Sequence, residues 1–247
     1  MIDYFNIPGQ ARIDMPISKK LFAEKVALSS VEKRILREDI DRIVMKGLLQ
    51  TRTVGVASYI DNEFSYDQII FALVDIKNPA KTSAIAGIIQ KAFPSPMILI
   101  LNYQNNYCVN WCVKRINQAD KSKRVIENMK TTRYLTLNDD DKIANDWLQS
   151  LDSTKIVCST LKEWFDELSS KLLMLQVSDE TGTFVQADSH NITDYRQLLE
   201  QLKENREEQR QLLIEIKSET QFNLRLKLTT KLKELQEQEE ELKKRLK

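Results

Sequence analysis

The last 54 residues, 194–247, contain neither glycine nor proline, and 25 of them are charged. Leu, Lys, Arg, Glu and Gln dominate, which is the composition of long helices and coiled coils. As one straight helix the stretch would reach about 80 Å. Tyr195, Leu198, Leu202, Leu212 and Ile216 share one three–four register, whose extension puts Asn205, Gln209, Glu219 and Asn223 on the same stripe. Leu228, Leu232, Leu235, Leu242 and Leu246 form a second register, offset by two residues, with Glu239 as its polar intrusion. Surface ion pairs of about 0.2–0.5 kcal/mol each cannot stabilise such a helix by themselves. The leucine stripes therefore need another apolar surface. Either a coiled coil breaks near Gln221, Phe222 and Asn223, or two helices fold back on each other. The covering surface is a second copy, the chain's own domain or a different protein. The prevalence of symmetric dimers favours a homodimer through Leu198, Leu202, Leu212, Ile216, Leu228, Leu232, Leu235, Leu242 and Leu246.

A formal net charge of +1 conceals segregation along the 247 residues. Residues 1–138 carry 20 Lys/Arg against 13 Asp/Glu, and residues 139–193 carry 4 against 11. Three segments are expected: a basic domain 1–138, an acidic helical brace and loop 139–193, and the extension 194–247. The basic part can attract phosphate or an acidic partner surface, or the acidic segment can neutralise it within one molecule. No apolar run is long enough for a membrane span. The start, MIDYFNIPGQ, lacks the pattern of a secretory leader. Three Cys and one His argue against a disulfide framework and a Cys/His-rich zinc site. The expected compartment is the cytoplasm, and no cofactor or resident metal is implied.

The first segment reads as a compact α+β domain with a mixed or antiparallel sheet. A loop with two prolines leads into a short helix. A helix follows over LSSVEKRILREDIDRIVMKG, opened by a Ser29–Glu32 capping box and closed at Gly47. Its apolar stripe is Val31, Ile35, Leu36, Ile40, Ile43 and Val44. Strands are expected at 53–60 and 68–77, paired as a hairpin around 61–63. A helix over 81–93 turns Ile85, Ile88 and Ile89 inward. Strands 96–103 and 107–115 form a second hairpin around Asn105 and Asn106. The polar stretch after Arg115 reads as a surface excursion. Residues 139–176 read as helical, with acids at the start and a second capping box from Thr160 to Glu163. Leu161, Trp164, Phe165, Leu168, Leu172 and Leu175 make an apolar face there, and a loop or short hairpin turns at Gly182.

Few residues announce chemistry. Asp75-Ile76-Lys77 ends a strand, as in metal-dependent nucleases of the restriction-enzyme type, where the acid binds Mg²⁺ and the Lys steadies the nucleophile or the phosphate. Such a site needs another carboxylate. In the expected hairpin, Arg52 and Thr53 lie opposite Asp75, and Asp41 is the only nearby spare acid. Cys108 and Cys112 suit buried apolar positions. Lone His190, in a polar acidic loop, has no nucleophile beside it. Trp147 and Trp164 belong to the core, as does Trp111, although Lys114 and Arg115 beside it also suit a stacking residue. Lys114, Arg115, Lys121, Lys123, Arg124, Lys130 and Arg133 are the best nucleic-acid candidates, because phosphate contact needs several cations on one surface.

The succession FNIPGQARIDMPISKKLF, SSVEKRILREDIDRIVMKGLLQTRTVGV, IIFALVDIK, IIQKAFPSPMILIL, WCVKR and SETQFN resembles an uncharacterised bacterial family, number 4391 of the domain-of-unknown-function series. KAFPSPMILIL with the following strand ending in KR is its most specific part. Lys19, Lys33, Pro94, Pro96, Lys114 and Arg115 match its pattern, without known roles. The resemblance implies a context and no reaction: companions of restriction–modification and antiviral-defence operons, encoded beside helicases and DNA methyltransferases. The leading expectation is an accessory, non-catalytic subunit of a bacterial DNA-defence complex that binds a helicase or DNA methyltransferase, and nucleic acid. The alternatives are a Mg²⁺-dependent nuclease using Asp75 and Lys77, and a homodimeric scaffold without nucleic acid.

Overall fold

The computed structural model describes residues 1–137, 140–186 and 192–246. His190 lies outside the described residues. The chain divides into two compact units, Met1–Leu172 and Leu173–Lys247.

The first unit is built on a mixed sheet. Its strands are β1 (Arg12–Pro16), β2 (Ile40–Gln50), β5 (Gln68–Ile76), β6 (Met97–Tyr103), β7 (Asn106–Ile116) and β8 (Arg124–Thr131), side by side in that order. A short β9 (Leu135–Thr136) also pairs with β7, and β3 (Tyr59–Ile60) with β4 (Ser65–Tyr66) makes a separate small hairpin. Among the described strands of this sheet only β5 and β6 run parallel, and the helix α4 (Thr82–Ala92) connects them. A parallel pair needs such a crossover, and the apolar run MILIL suits a strand covered on both faces.

Alternation along β5 sorts the core into two. Ile70, Ala72, Val74 and Ile76 join Phe22 of α1 (Lys19–Lys25), Ile35 and Leu36 of α2 (Ser30–Glu38), and Ile85, Ile88 and Ile89 of α4. On the opposite face Phe71 meets the Phe5 ring at 5.2 Å and the Trp164 ring at 6.1 Å. Trp164 belongs to α6 (Leu161–Thr181), the second long helix after α5 (Lys142–Ser150). Leu161, Trp164, Phe165, Leu168, Leu172 and Leu175 are all buried, as their spacing predicts.

Several expected elements change type. The Ser29–Glu32 capping box is present, but its helix ends at Glu38, and Ile40, Ile43 and Val44 belong to β2. β2 is covered on both faces through much of its length, so no period of two showed in its sequence. Gly47 closes no helix. A Cβ there would stand 2.8 Å from Ile7 Cδ1 and 3.3 Å from Phe71 Cβ, so it is a strand position that the Ile7 side chain approaches too closely for a larger residue. Thr51–Val54 is a helical turn, α3, which Gly55 ends at φ 71°. The hairpin at 61–63 exists, but it joins β3 to β4, and β5 pairs instead with β2. The stretch after Arg115 does not stay a surface excursion: it returns as β8. As the last strand on that side of the sheet, β8 is polar because an edge strand resists further pairing when charged. The β6–β7 turn sits at Gln104 and Asn105 (φ 51° and 65°), a residue earlier than expected.

The second unit takes α6 from Leu173 onward together with α7 (Ile192–Ser218) and α8 (Phe222–Arg245). α7 and α8 fold back on each other, the second of the two arrangements left open by the registers. The chain turns at 219–221, beside the expected break. Among the described residues no helix is long and apolar enough to cross a membrane.

Candidate functional site

The cations of the basic stretch do not share one surface. Lys114 is inside the protein, 2 % exposed. Its ammonium donates to the carbonyls of Phe93 (2.8 Å) and Ser95 (2.9 Å), just past the last turn of α4. Burial pulls its pKa down to about 8. A cation at this helix end satisfies carbonyls that have no intrahelical partner and meets the negative end of the dipole. Its assignment to nucleic-acid contact is therefore corrected: the side chain is a structural cap. Lys19 plays a comparable part at the end of α2, donating to the carbonyls of Arg37 and Ile40. Lys19 and Lys114 thus each have a physical role in the fold.

Arg115 bridges Glu63 (2.5 Å) and Glu127, and both carboxylates hold its guanidinium above the ordinary range. Arg133 is paired with Asp141, the residue that caps α5. Lys130 stands opposite Trp111 in the β7–β8 ladder, and Trp111 is buried. Lys121 is exposed in the β7–β8 connection. Only Lys123 and Arg124 converge with other cations, in a groove of about 480 Å³. Lys25, from the end of α1, and Lys91, from the last turn of α4, line its other side. Neither was singled out in the sequence. They are 66 residues apart, and only the packing of α1 and α4 on one sheet face brings them together.

Asp75 sits in a different constellation. Across the ladders its neighbours are Arg42 on β2 and Asn102 on β6, and not Arg52 or Thr53. Arg42 donates twice to one carboxylate oxygen (3.0 and 2.8 Å), and Asn102 donates to the other at 2.7 Å. Lys77 lies 3.8 Å from Asp41. A carboxylate with each oxygen engaged by a protein donor is a clasp across three strands. Among the described residues no group of three His, Cys, Asp or Glu is placed to hold a metal ion. Cys108 and Cys112 are buried, and burial pushes both thiols up to about 11, which keeps them from acting as thiolates.

The nine aliphatic residues assigned to oligomerisation are covered within a single chain. Leu198, Leu202, Leu212, Leu235 and Leu246 are buried, and Ile216, Leu228, Leu232 and Leu242 are half-buried. The polar residues that broke both registers find one another. Asn205 donates to the Leu235 carbonyl at 3.1 Å. Gln209 donates to Asn205 (2.7 Å) and to Glu239 (2.8 Å). Arg206 reaches Glu239 with Nε (2.9 Å) and grips Glu180 of α6 with both Nη atoms (2.7 Å each). Burial alone would raise the Glu239 pKa, but bonds from Lys243, Gln209 and Arg206 outweigh it and hold the carboxyl at about 2. The turn end of the hairpin is different: Leu213, Ile214, Phe222, Leu224 and Leu226 are 42–78 % exposed.

Fold and site together define a mixed-sheet α+β protein with a helical hairpin at its C-terminal end, a basic groove and a cross-strand carboxylate clasp. The chain belongs to the family described as domain of unknown function DUF4391, which it matches over residues 5–238. Neither a curated protein nor a solved structure matches it.

Proposed function

We propose that this chain is an accessory, non-catalytic subunit of a bacterial DNA-defence complex, acting in the cytoplasm by docking on other proteins. The observation that carries the reading is the turn end of the α7–α8 hairpin. A hairpin that served only to cover its own leucines would be polar at its tip, yet Ile214, Phe222 and Leu226 are 57–78 % exposed there. Apolar patches of this kind mark protein contact sites. The family resemblance supplies the context, since restriction–modification and antiviral operons encode helicases and DNA methyltransferases that can be the partner. Docking of two tips would instead give a homodimer.

The test is light scattering of the full chain, alone and co-expressed with a helicase and with a DNA methyltransferase of a restriction–modification operon, against Ile214→Glu/Leu226→Glu. Loss of the assembly in the variant supports docking through the tip. A monomer that captures neither product, whichever residues stand at the tip, rejects it. A second reading, a Mg²⁺-dependent nuclease, draws support from Asp41 and Lys77 standing together at the sheet end that carries Asp75. DNA incubated with Mg²⁺ and either the wild type or Asp75→Ala decides that point: equal cleavage by both ends it.

A further inference from the structure

We propose that the groove between the end of α1, the last turn of α4 and the start of β8 is a phosphate-binding site, taking the phosphates of a nucleotide or of a nucleic-acid strand. Four cations line it: Lys25, Lys91, Lys123 and Arg124. Among the described residues no carboxylate does. Val26, Ala92 and Pro94 add an apolar wall beside them. The volume of about 480 Å³ falls within the range of small-molecule sites, roughly 300–1,000 Å³.

The cations are available to a ligand. Lys25 lies over the Phe93 ring, 5.2 Å from its centre, and pairs with no carboxylate among the described residues. Arg124 donates through Nη1 to the carbonyls of Lys121 and Lys123, which aims the guanidinium while pairing it with no carboxylate among the described residues. Lys91 and Lys123 have partners at the rim, Glu32 (3.3 Å) and Asp120 (3.0 Å). Both are exposed pairs, of the kind that contributes little and exchanges readily for a better anion.

The floor of the groove favours the same ligand. The end of a helix normally presents unpaired carbonyls, which repel anions. Here the Lys114 ammonium stands against that end, donating to the carbonyls of the C-cap Phe93 and of Ser95 just past the helix, on either side of the lining Pro94. Burial lowers its affinity for the proton, and an anion in the groove would restore it. A helix end that would otherwise be negative is thereby turned into the base of a positive site. The site is independent of the hairpin tip, so either can fail without the other.

The experiment is fluorescence anisotropy of the full chain with a labelled short DNA single strand and with its duplex, followed by displacement with ATP and with pyrophosphate. Lys123→Glu/Arg124→Glu should weaken binding by about tenfold or more, because two of four phosphate contacts reverse sign. Lys25→Ala/Lys91→Ala should weaken it less and reduce the salt dependence. Lys227→Glu/Lys231→Glu, on α8 and not among the lining residues, makes the same change in net charge and should leave affinity within about twofold. Displacement by ATP and pyrophosphate at concentrations well below those of plain salt identifies a nucleotide site. Binding of strands that they do not displace identifies a backbone site. Equal loss in the groove and α8 variants reduces the effect to net charge and overturns the proposal, as does failure of every probe to bind at low salt. Unchanged circular dichroism in the variants confirms that the chain still folds.

Discussion

Lys114 shows how the same residue type changes meaning with its surroundings. In the sequence it stands beside Arg115 in a basic run, and its strand neighbours gave no sign that it points under α4. Its pKa of about 8 in the folded protein lies below the ordinary 10.5, so the unfolded chain binds more protons between these values. Stability contributed at this position therefore rises as pH goes from about 8 towards 10.5, the reverse of the usual lysine pair. Lys114→Met leaves two buried carbonyls unpaired and should cost about 2 kcal/mol near neutral pH. The variant's own stability will not show the rise between pH 8 and 10, which urea unfolding at several pH values measures. Gly47 makes a second residue-scale case. Gly47→Val drives side-chain atoms into Ile7 and Phe71, so a loss of about 1–3 kcal/mol is expected from overpacking. Gly47→Ala should cost less, since the Ile7 methyl can turn aside. An unaltered midpoint for both variants would mean that the N-terminal segment does not press on β2 as described.

At the scale of elements, the hairpin depends on a polar cluster that interrupts two apolar stripes. Glu239 has a folded pKa of about 2 against an ordinary 4.5, so the stability it contributes is present above 4.5 and lost as pH falls towards 2. Glu239→Gln should remove that acid sensitivity, and a helical signal followed by circular dichroism through this window checks it. Gln209→Leu/Glu239→Leu is expected to lower thermal stability and loosen the pairing of α7 with α8, because Asn205, the Arg206 Nε and Lys243 each lose a partner. The pattern of Asn205, Gln209 and Glu239 as intrusions was legible in the sequence, and so was the offset between the registers. Their mutual bonding was not, since it depends on the fold-back that the offset only permits. The same divide runs through the sheet. Helix α4, strands β6 and β7 and the apolar face of α6 were readable, because their periods or turn residues are unambiguous. β2 read as a helix because Ile40, Ile43 and Val44 fit both periods once a strand is buried on two sides. β8 read as a loop because an edge strand carries the polar residues of one. Of the groove, Lys123 and Arg124 could be named from sequence. Lys25 and Lys91 depend on tertiary packing and left no local signal.

Across the whole molecule, charge segregation along the chain is only partly cancelled by folding. Arg42 with Asp75, Lys46 with Asp14, Lys91 with Glu32 and Arg115 with Glu63 stay within the basic segment, while Arg133 with Asp141 joins it to the acidic one. The division into two units has a measurable consequence. All three tryptophans, Trp111, Trp147 and Trp164, are buried in the first unit. α7 and α8 supply much of the helix and belong to the second. Tryptophan fluorescence therefore reports on the first unit, and far-ultraviolet circular dichroism is weighted towards the hairpin. Two compact units joined through one continuous helix, α6, are expected to unfold in separable steps, for which a single two-state description fails. Arg206→Ala breaks the contacts to Glu180 and Glu239 in the second unit and leaves Glu239 half-buried without its guanidinium. It should shift the circular-dichroism transition downward and leave the fluorescence transition in place. Equal shifts in both would show that α6 transmits the loss from one unit to the other, making the two a single cooperative structure.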